Sequence, residues 1–166
     1  MRHLERLFKP DEIYIDLQEI DFANYARQGY LLVMLDIDNT LAHHGSDRAD
    51  EYACEIVRRI QAAGLICWIV SNGKKDRIGR YAASIDLPYV AMSNKPSRRA
   101  FRHVCQLTGI AADRAIMIGD QLLTDIFGAR RAGCHTILVH PRSQQEAWNV
   151  RVKRGIEKPL LRRFKL

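Results

Sequence analysis

The sequence lacks the features that mark several protein classes. No apolar run approaches the roughly 20 residues of a membrane-spanning helix, and the longest, residues 30–35, meets acidic residues at once. The first ten residues, MRHLERLFKP, contain no apolar core of a secretory signal. Repeats and low-complexity segments are absent as well. We therefore expect a globular protein of the cytoplasm.

Cysteine is scarce and widely spaced. The four cysteines form no CxxC pair, and each lies in or beside an apolar stretch (Cys54, Cys67, Cys105 and Cys134). Free cysteine behaves as a small buried hydrophobe, and this spacing suits neither a disulfide framework nor a zinc cluster. We expect four structural thiols.

Acidic residues are in the minority, and the basic excess is concentrated in one segment. The 166 residues carry 26 Lys and Arg against 19 Asp and Glu, a net charge of +7. From Arg142 onward, eight basic residues face two glutamates. We predict a basic helix or tail over residues 146–166 that binds an anionic partner, either lipid headgroups or nucleic acid, or only aids solubility.

Short apolar runs alternate with amphipathic segments along the rest of the chain. The predicted strands are residues 31–37, 65–70, 89–92, 115–118 and 135–139, and the predicted helices are 50–63, 74–84, 96–107 and 122–132. This alternation predicts an α/β fold, a Rossmann-like three-layer sandwich with a central, mostly parallel sheet. Residues 1–30 are expected to pack on it as an edge or lid, within one domain over residues 1–145.

Chemically active side chains follow the predicted strands. They follow the first four predicted strands in order: Asp36, Asp38, Asn39 and Thr40 after the first, Ser71, Asn72 and Gly73 after the second, Asn94 and Lys95 after the third, and Gly119, Asp120 and Asp125 after the fourth. In an open parallel sheet, the active crevice lies beyond the carboxyl ends of the strands. These groups are therefore expected at one edge.

The acidic residues predict a metal site. Asp36 and Asp38 are two residues apart, so an extended chain would crowd their carboxylates on one side unless a cation separates them. Asp120 and Asp125 add negative charge from another strand. Such acids are typical of a Mg²⁺ site, although a single strand-end aspartate often only caps a turn.

A phosphate site is predicted between the two acidic motifs. The Ser71 hydroxyl and the N–H groups near Asn72 and Gly73 can donate to phosphoryl oxygens, and Lys95 supplies a positive charge. Each feature alone is commonplace. Their order along the chain gives the pattern its weight.

The ordered motifs resemble the haloacid dehalogenase (HAD) superfamily of phosphotransferases, over residues 31–139. By that resemblance, Asp36 is the nucleophile that forms an aspartyl-phosphate, and Asp38 protonates the leaving oxygen and then activates water. Asp36, Asp120 and the backbone carbonyl of Asp38 would hold Mg²⁺, and Asp125 would steady the metal's waters. Thr40 would shape the first motif loop and contribute to substrate binding with Ser71, Asn72 and Lys95.

The spacing of the motifs leaves no room for a cap domain. Thr40 and Ser71 are separated by 30 residues, and Ser71 and Lys95 by 23. Within the superfamily, the chain resembles the YqeG-like branch of subclass IIIA, which is related to phosphatidylglycerophosphate phosphatases. Without a cap, the site would be open, which implies either a large or exposed phosphomonoester or closure by a neighbouring subunit. A lipid substrate would place the protein at the inner membrane face. The segment around His43, His44 and Gly45 could act as a flap. Two adjacent histidines are also compatible with metal binding, but no further ligands lie at suitable spacing, which favours ordinary loop residues.

Two other functions remain open. A phospho-accepting receiver module also combines a parallel sheet with clustered aspartates and a lysine, but it does not turn over substrate. A nucleic-acid phosphatase or binding protein would use the basic tail, although Trp148 and Phe164 are the only aromatics there for base stacking.

Overall fold

The structure, a computed structural model, describes residues 7–142. At its centre lies a six-stranded sheet in the order β1–β6–β5–β2–β3–β4, in which all neighbours are parallel. The strands are β1 (Glu12–Tyr14), β2 (Leu32–Leu35), β3 (Ile66–Val70), β4 (Tyr89–Val90), β5 (Ala115–Gly119) and β6 (His135–Val139). The predicted parallel α/β architecture is confirmed.

Helices cover both faces of the sheet. Three pack on one face, α1 (Phe22–Arg27), α2 (Glu51–Ala62) and α3 (Lys75–Ala83), and two on the other, α4 (Arg99–Thr108) and α5 (Phe127–Ala132). Strand β2 shows the division, because Val33 and Leu35 join the first core while Leu32 and Met34 join the second. Burial on both faces explains why β2 is a continuous apolar run rather than an alternating one.

Two segments beside the carboxyl edge differ from the prediction. Pro96 does not occupy the first turn of a helix, because α4 begins only at Arg99. Asn94 has a φ of 54°, and Ser97 N donates to Asn94 O at 2.8 Å, so the chain makes a separate turn first. The predicted helix over residues 122–132 starts as a π-helical turn, Leu122–Ile126, and only then continues as α5.

The remaining chain divides into described and undescribed parts. Residues 7–30 supply the edge strand β1 and helix α1. The predicted boundary at residue 145 and the basic segment over 146–166 lie outside the described residues. Within residues 7–142, no helix has the length and apolar character needed to cross a membrane. The four cysteines are free thiols, two buried and two partly buried.

Candidate active site

Four strands bring the predicted site residues to one edge of the sheet. Asp36 directly follows β2, Ser71 follows β3, Lys95 follows β4 after a short loop, and Asp120 follows β5. Strand β2 pairs with β3 on one side and β5 on the other, so the chain order reverses there, as at the ligand crevice of many open α/β sheets. A cavity of about 190 Å³ opens at this edge.

Three buried carboxylates form the centre of the site. Asp36, Asp120 and Asp125 each place one oxygen within 4.8 Å of the others. The cation among them is Lys95, whose Nζ lies 2.7 Å from Asp36 Oδ1 and 2.7 Å from Asp125 Oδ1. Asp36 and Asp125 thus share one ammonium. The three buried carboxylates offer the all-oxygen donor set that a hard divalent cation prefers.

Burial and neighbouring charges shift the pKa values of both Asp36 and Lys95. Burial raises the pKa of Asp36 to about 7 against the opposing charge of Lys95, and the charge of Asp125 adds to the rise. Burial would lower the pKa of Lys95, but the charges of Asp125 and Asp36 outweigh it and raise the pKa above its ordinary value. Lys95 is therefore a fixed cation, and its charge does not outweigh the burial of Asp36.

Neighbouring groups fix the positions of Asp120 and Asp125. The Thr40 hydroxyl donates to Asp120 Oδ1 at 3.2 Å, and Gln121 N donates to Asp125 Oδ2 at 3.1 Å. A Cβ on Gly119 would lie 2.3 Å from Asp125 Oδ2. Because the π-helical turn brings Asp125 back against the end of β5, a side chain at position 119 would displace Asp125.

The loop after β2 separates Asp38 from the three carboxylates. Strand β2 ends at Leu35, and Ile37 O accepts three backbone N–H groups at 2.9–3.1 Å, from Thr40, Leu41 and Ala42. The chain therefore curls instead of staying extended. Asp38 still lines the cavity, but its carboxylate is not part of the Asp36 cluster, which differs from the crowded pair that the spacing predicts.

Asp38 is held by a residue that the sequence reasoning missed. Arg77 forms a two-pronged contact with it, Nη1 to Oδ1 at 3.1 Å and Nη2 to Oδ2 at 2.5 Å. Gly45 N donates to Oδ1 at 2.8 Å, and His44 Nδ1 lies 3.5 Å from the same oxygen. The 43–46 segment thus lies against Asp38, and His44 lines the cavity. The sequence contains one signal for Arg77. It lies in the first turn of a predicted helix, where the helix dipole disfavours a cation, so a specific contact is expected to hold it there.

The predicted phosphate-binding residues are linked to one another. Ser71 is buried, and its Oγ accepts from Gly73 N at 3.1 Å. Asn72 Oδ1 accepts from Lys95 N at 2.8 Å and from Ser93 Oγ at 2.9 Å, while its Nδ2 donates to Lys95 O at 3.1 Å. The Asn72 side chain therefore orients the Lys95 loop.

Arg142 is a second residue that the sequence reasoning misassigned. It was counted with the basic tail, yet it joins the end of β6 to the loop after Asp36. Its Nη1 donates to Leu41 O at 2.6 Å and its backbone N to Asn39 O at 2.9 Å. Its guanidinium pairs with Asp50 at 2.9 Å and lies 3.9 Å from the centre of the Tyr52 ring.

Comparison with known proteins agrees with this geometry. The family model described as HAD-hydrolase-like matches residues 92–155, the part that carries Lys95, Asp120 and Asp125. The probable phosphatase YqeG of Bacillus subtilis is 28% identical over 162 residues, which cover 98% of this chain and 94% of that protein.

Solved structures share the fold. A crystal structure of an uncharacterized protein from Listeria monocytogenes has a TM-score of 0.57 at 19% identity, over 80% of this chain and 99% of that one. The cobalt-bound deoxy-D-mannose-octulosonate 8-phosphate phosphatase of Haemophilus influenzae has a TM-score of 0.55 at 14% identity, over 86% and 91%. In its motif order, in the family model it matches and along nearly the whole length of YqeG, the chain is similar to hydrolases of the haloacid dehalogenase superfamily.

Proposed function

We propose that this HAD-type phosphatase is a Mg²⁺-dependent phosphomonoester hydrolase that works through an aspartyl-phosphate on Asp36. The observation that carries the proposal is the buried cluster of Asp36, Asp120 and Asp125 around Lys95, at the wall of an open cavity. Three carboxylate oxygens this close together in a buried site form a donor set that suits a hard divalent cation.

The donor set supports a metal beside the nucleophile. Asp36, Asp120 and the backbone carbonyl of Asp38 would hold the ion, and Asp125 would orient its water ligands. A bound Mg²⁺ would add positive charge beside Asp36, keep Asp36 ionised and offset the charge of the phosphoryl oxygens.

The residues of the chain then carry two displacements. An oxygen of Asp36 attacks phosphorus, the bond to the ester oxygen breaks, and Asp38 gives its proton to that oxygen. Water next attacks the phosphorus, Asp38 takes the water's proton, and the bond between phosphorus and Asp36 breaks to release inorganic phosphate. Splitting one difficult step into two easier ones is the gain from a covalent intermediate.

Other predicted residues would bind the phosphoryl group or hold the nucleophile. We assign Ser71 and the N–H groups of the 71–73 loop to the phosphoryl oxygens. Lys95 would fix one oxygen of Asp36, as its 2.7 Å contact with Oδ1 suggests, and leave the other to react. Thr40 acts through Asp120, and the Asn72 side chain acts through the Lys95 loop.

The absence of a cap supports a large or exposed substrate. The chain between Thr40 and Ser71 is used by α2 and β3, and the chain between Ser71 and Lys95 by α3 and β4. Phosphatidylglycerophosphate and closure of the mouth by a second copy of the chain both stay predictions. A panel of this lipid, nucleotides, sugar phosphates and phosphopeptides would rank the substrate classes.

Turnover of a small ester tests the proposal. With para-nitrophenyl phosphate and Mg²⁺, we expect continuous release of product that stops when EDTA is added and resumes with excess Mg²⁺. Release that ends at one equivalent per chain would instead indicate a phospho-accepting receiver. Activity that survives EDTA would contradict the metal assignment.

A truncation tests the membrane prediction separately. Removing residues 146–166 should weaken binding to vesicles of anionic lipid more than hydrolysis of para-nitrophenyl phosphate, because attraction to the bilayer is worth about 1 kcal/mol per basic residue. Retention on DNA, measured at several salt concentrations, would identify nucleic acid as the partner instead. Equal loss of binding and hydrolysis would show that the segment belongs to the catalytic domain.

A further inference from the structure

Arg77 is a cation of the cavity that the proposed chemistry leaves without a role. It lies in the first turn of α3, lines the cavity with Asp36 and Lys95, and keeps its side chain 20% exposed. A positive charge at a helix N-terminus is unfavourable by itself. Specific contacts must therefore hold it there.

Those contacts tie three parts of the site together. Besides the two contacts with Asp38, Arg77 Nη1 donates to Ser46 O at 3.0 Å. The loop that carries Ser71 also leaves room for the guanidinium, since a Cβ on Gly73 would lie 2.5 Å from Arg77 Nη2. A guanidinium has more N–H donors than these contacts use, so Arg77 can bind a further acceptor without leaving Asp38.

Lys95, the other permanently charged cation of the cavity wall among the described residues, has no such capacity. Its Nζ already contacts Asp36, Asp125 and Val70 O, each at 2.7 Å. An ammonium has three donors, and this one is buried. Among the described residues that line the cavity, Arg77 is therefore the cation available to additional negative charge on a substrate.

The position of Arg77 indicates which part of a substrate it meets. In the proposed reaction, Asp38 gives its proton to the leaving oxygen, so the groups around Asp38 face the alcohol part of the ester. Arg77 contacts both oxygens of Asp38. It is therefore placed beside substituents close to the ester oxygen.

Resting on that proposed function, we infer that Arg77 is a specificity-determining residue that binds a second anionic group on the alcohol part of the phosphomonoester. The substrate class is a phosphomonoester with a carboxylate or a second phosphate near the ester bond. Both anions match the planar fork of a guanidinium. Neutral alcohol phosphates would leave this interaction unused.

Two matched pairs of esters test the inference on the full chain with Mg²⁺. The carboxylate pair is 3-phosphoglycerate and glycerol 3-phosphate, and the phosphate pair is propane-1,3-diol bisphosphate and 3-hydroxypropyl phosphate. The measured quantity is the ratio of kcat/KM within a pair. We expect a ratio of about tenfold or more for at least one pair, as a charge-assisted hydrogen bond supplies, and the pair that shows it identifies the anion.

Variants then assign the ratio to Arg77. Arg77→Met should bring the ratio close to one, and Arg77→Lys, which keeps the charge but loses the fork, should give an intermediate value. The matched control is Arg80→Met on the same helix, since Arg80 is 61% exposed and pairs with Asp47 at 3.4 Å outside the cavity. Because each ratio compares two esters on the same variant, it cancels any loss of activity that comes from disturbing Asp38. If Arg77→Met is inactive, the ratio measured for Arg77→Lys decides the test.

The failures of the two proposals are distinguishable. Ratios near one for both pairs in the unaltered protein, or a ratio unchanged in both Arg77 variants, would overturn the inference while hydrolysis continues. If the unaltered protein with Mg²⁺ hydrolyses neither these esters nor para-nitrophenyl phosphate, the proposed function fails and takes the inference with it.

Discussion

Two polar clusters at opposite ends of the sheet use similar side chains but differ in charge balance. At the carboxyl ends, Asp36 and Asp125 both contact Lys95, and Asp120 lies beside them. At the amino ends of β1 and β6, Asp11 pairs with Arg130 and accepts from the backbone N and the hydroxyl of Thr136, each at 2.9 Å. Asp36 therefore shares its cation with a second acid, whereas Asp11 pairs with Arg130 and has two further donors.

The surroundings of the two clusters shift the pKa values of Asp11 and Asp36 in opposite directions. Burial would raise the pKa of Asp11, but the hydrogen bonds from Arg130 and Thr136 outweigh it and lower the pKa. Burial raises the pKa of Asp36 to about 7 despite Lys95. The surroundings of Asp11 therefore favour its ionised form, whereas burial disfavours the ionised form of Asp36, which fits the proposed metal site.

Cavity size and the sequence motifs point to opposite ends of the sheet. The cavity beside Asp11, Arg130 and His135 has a volume of about 400 Å³, and the one beside Asp36 about 190 Å³. The smaller cavity is lined by Asp36, whose pKa burial raises. The proposed active site therefore depends on buried charge and not on cavity size.

The largest effect should come from removing the nucleophile. Asp36→Asn should lower kcat for para-nitrophenyl phosphate by orders of magnitude, because the covalent route requires a carboxylate at this position. Circular dichroism should show an unchanged fold. Asp11→Asn is the matched control at the other cluster, and we expect it to keep kcat. More than about a tenth of the original kcat in Asp36→Asn would contradict the covalent mechanism.

A smaller effect is expected on metal affinity. Titration with Mg²⁺ should raise the Tm of the unaltered protein, since a ligand that binds only the folded state stabilises it. Asp120→Asn should abolish that rise. Gly119→Ala keeps every carboxylate but pushes on Asp125, and it should weaken binding about 10–100-fold, as for other changes next to metal ligands.

The control for metal binding is an acid at the other end of the sheet. Asp113→Asn, beside the larger cavity, should leave the Mg²⁺-dependent rise in Tm intact. A similar loss in Asp113→Asn and Asp120→Asn would mean that Mg²⁺ acts through overall charge. Unchanged affinity in Gly119→Ala would show that Asp125 has no part in binding the ion.

The smallest effect concerns stability at the Asp11 cluster. Asp11→Asn should lower the free energy of unfolding at pH 7 by about 1–3 kcal/mol, because it breaks charge-assisted hydrogen bonds. The pKa of Asp11 is lowered in the folded state, so its contribution is complete above the unfolded pKa of about 3.9. It is lost as the pH falls from there through the lower folded value.

Urea unfolding of both proteins between pH 7 and pH 3 measures this difference. The two free energies of unfolding should converge towards the acid end of the range. Asp21→Asn is the surface control, because Asp21 is 64% exposed and lies 3.6 Å from Arg27, and exposed pairs contribute little. A difference that stays constant with pH would show that Asp11 acts through packing and not through its charge.

Periodic burial made much of the fold predictable. Strand β6 has the predicted bounds, His135–Val139, and α2 differs by one residue at each end from the predicted 50–63. Both follow from local geometry, since a helix or strand buried on one or two faces needs apolar residues at fixed intervals. The residues just after each strand could also be assigned to one edge from the sequence, because all strands of a parallel sheet end at the same edge.

The interruptions at the edge were not predictable in this way. Pro96 is a favourable residue for a first helical turn, yet the Lys95 loop is held by Asn72, which lies 23 positions earlier. The π-helical turn depends on Asp125 reaching back to Gln121 N at the end of β5. In both places, a contact made on folding overrides the local preference.

The order of strands and helices, and the edge at which the aspartates, Ser71 and Lys95 gather, could be read from the sequence, because both depend on short intervals along the chain. Which charges meet could not, since those pairs form only on folding. Arg77 reaches Asp38 across 39 positions, and Arg142 reaches Asp50 across 92. Electrostatic energy depends on distance in space, so the different charge environments of Asp11 and Asp36 appear only after folding.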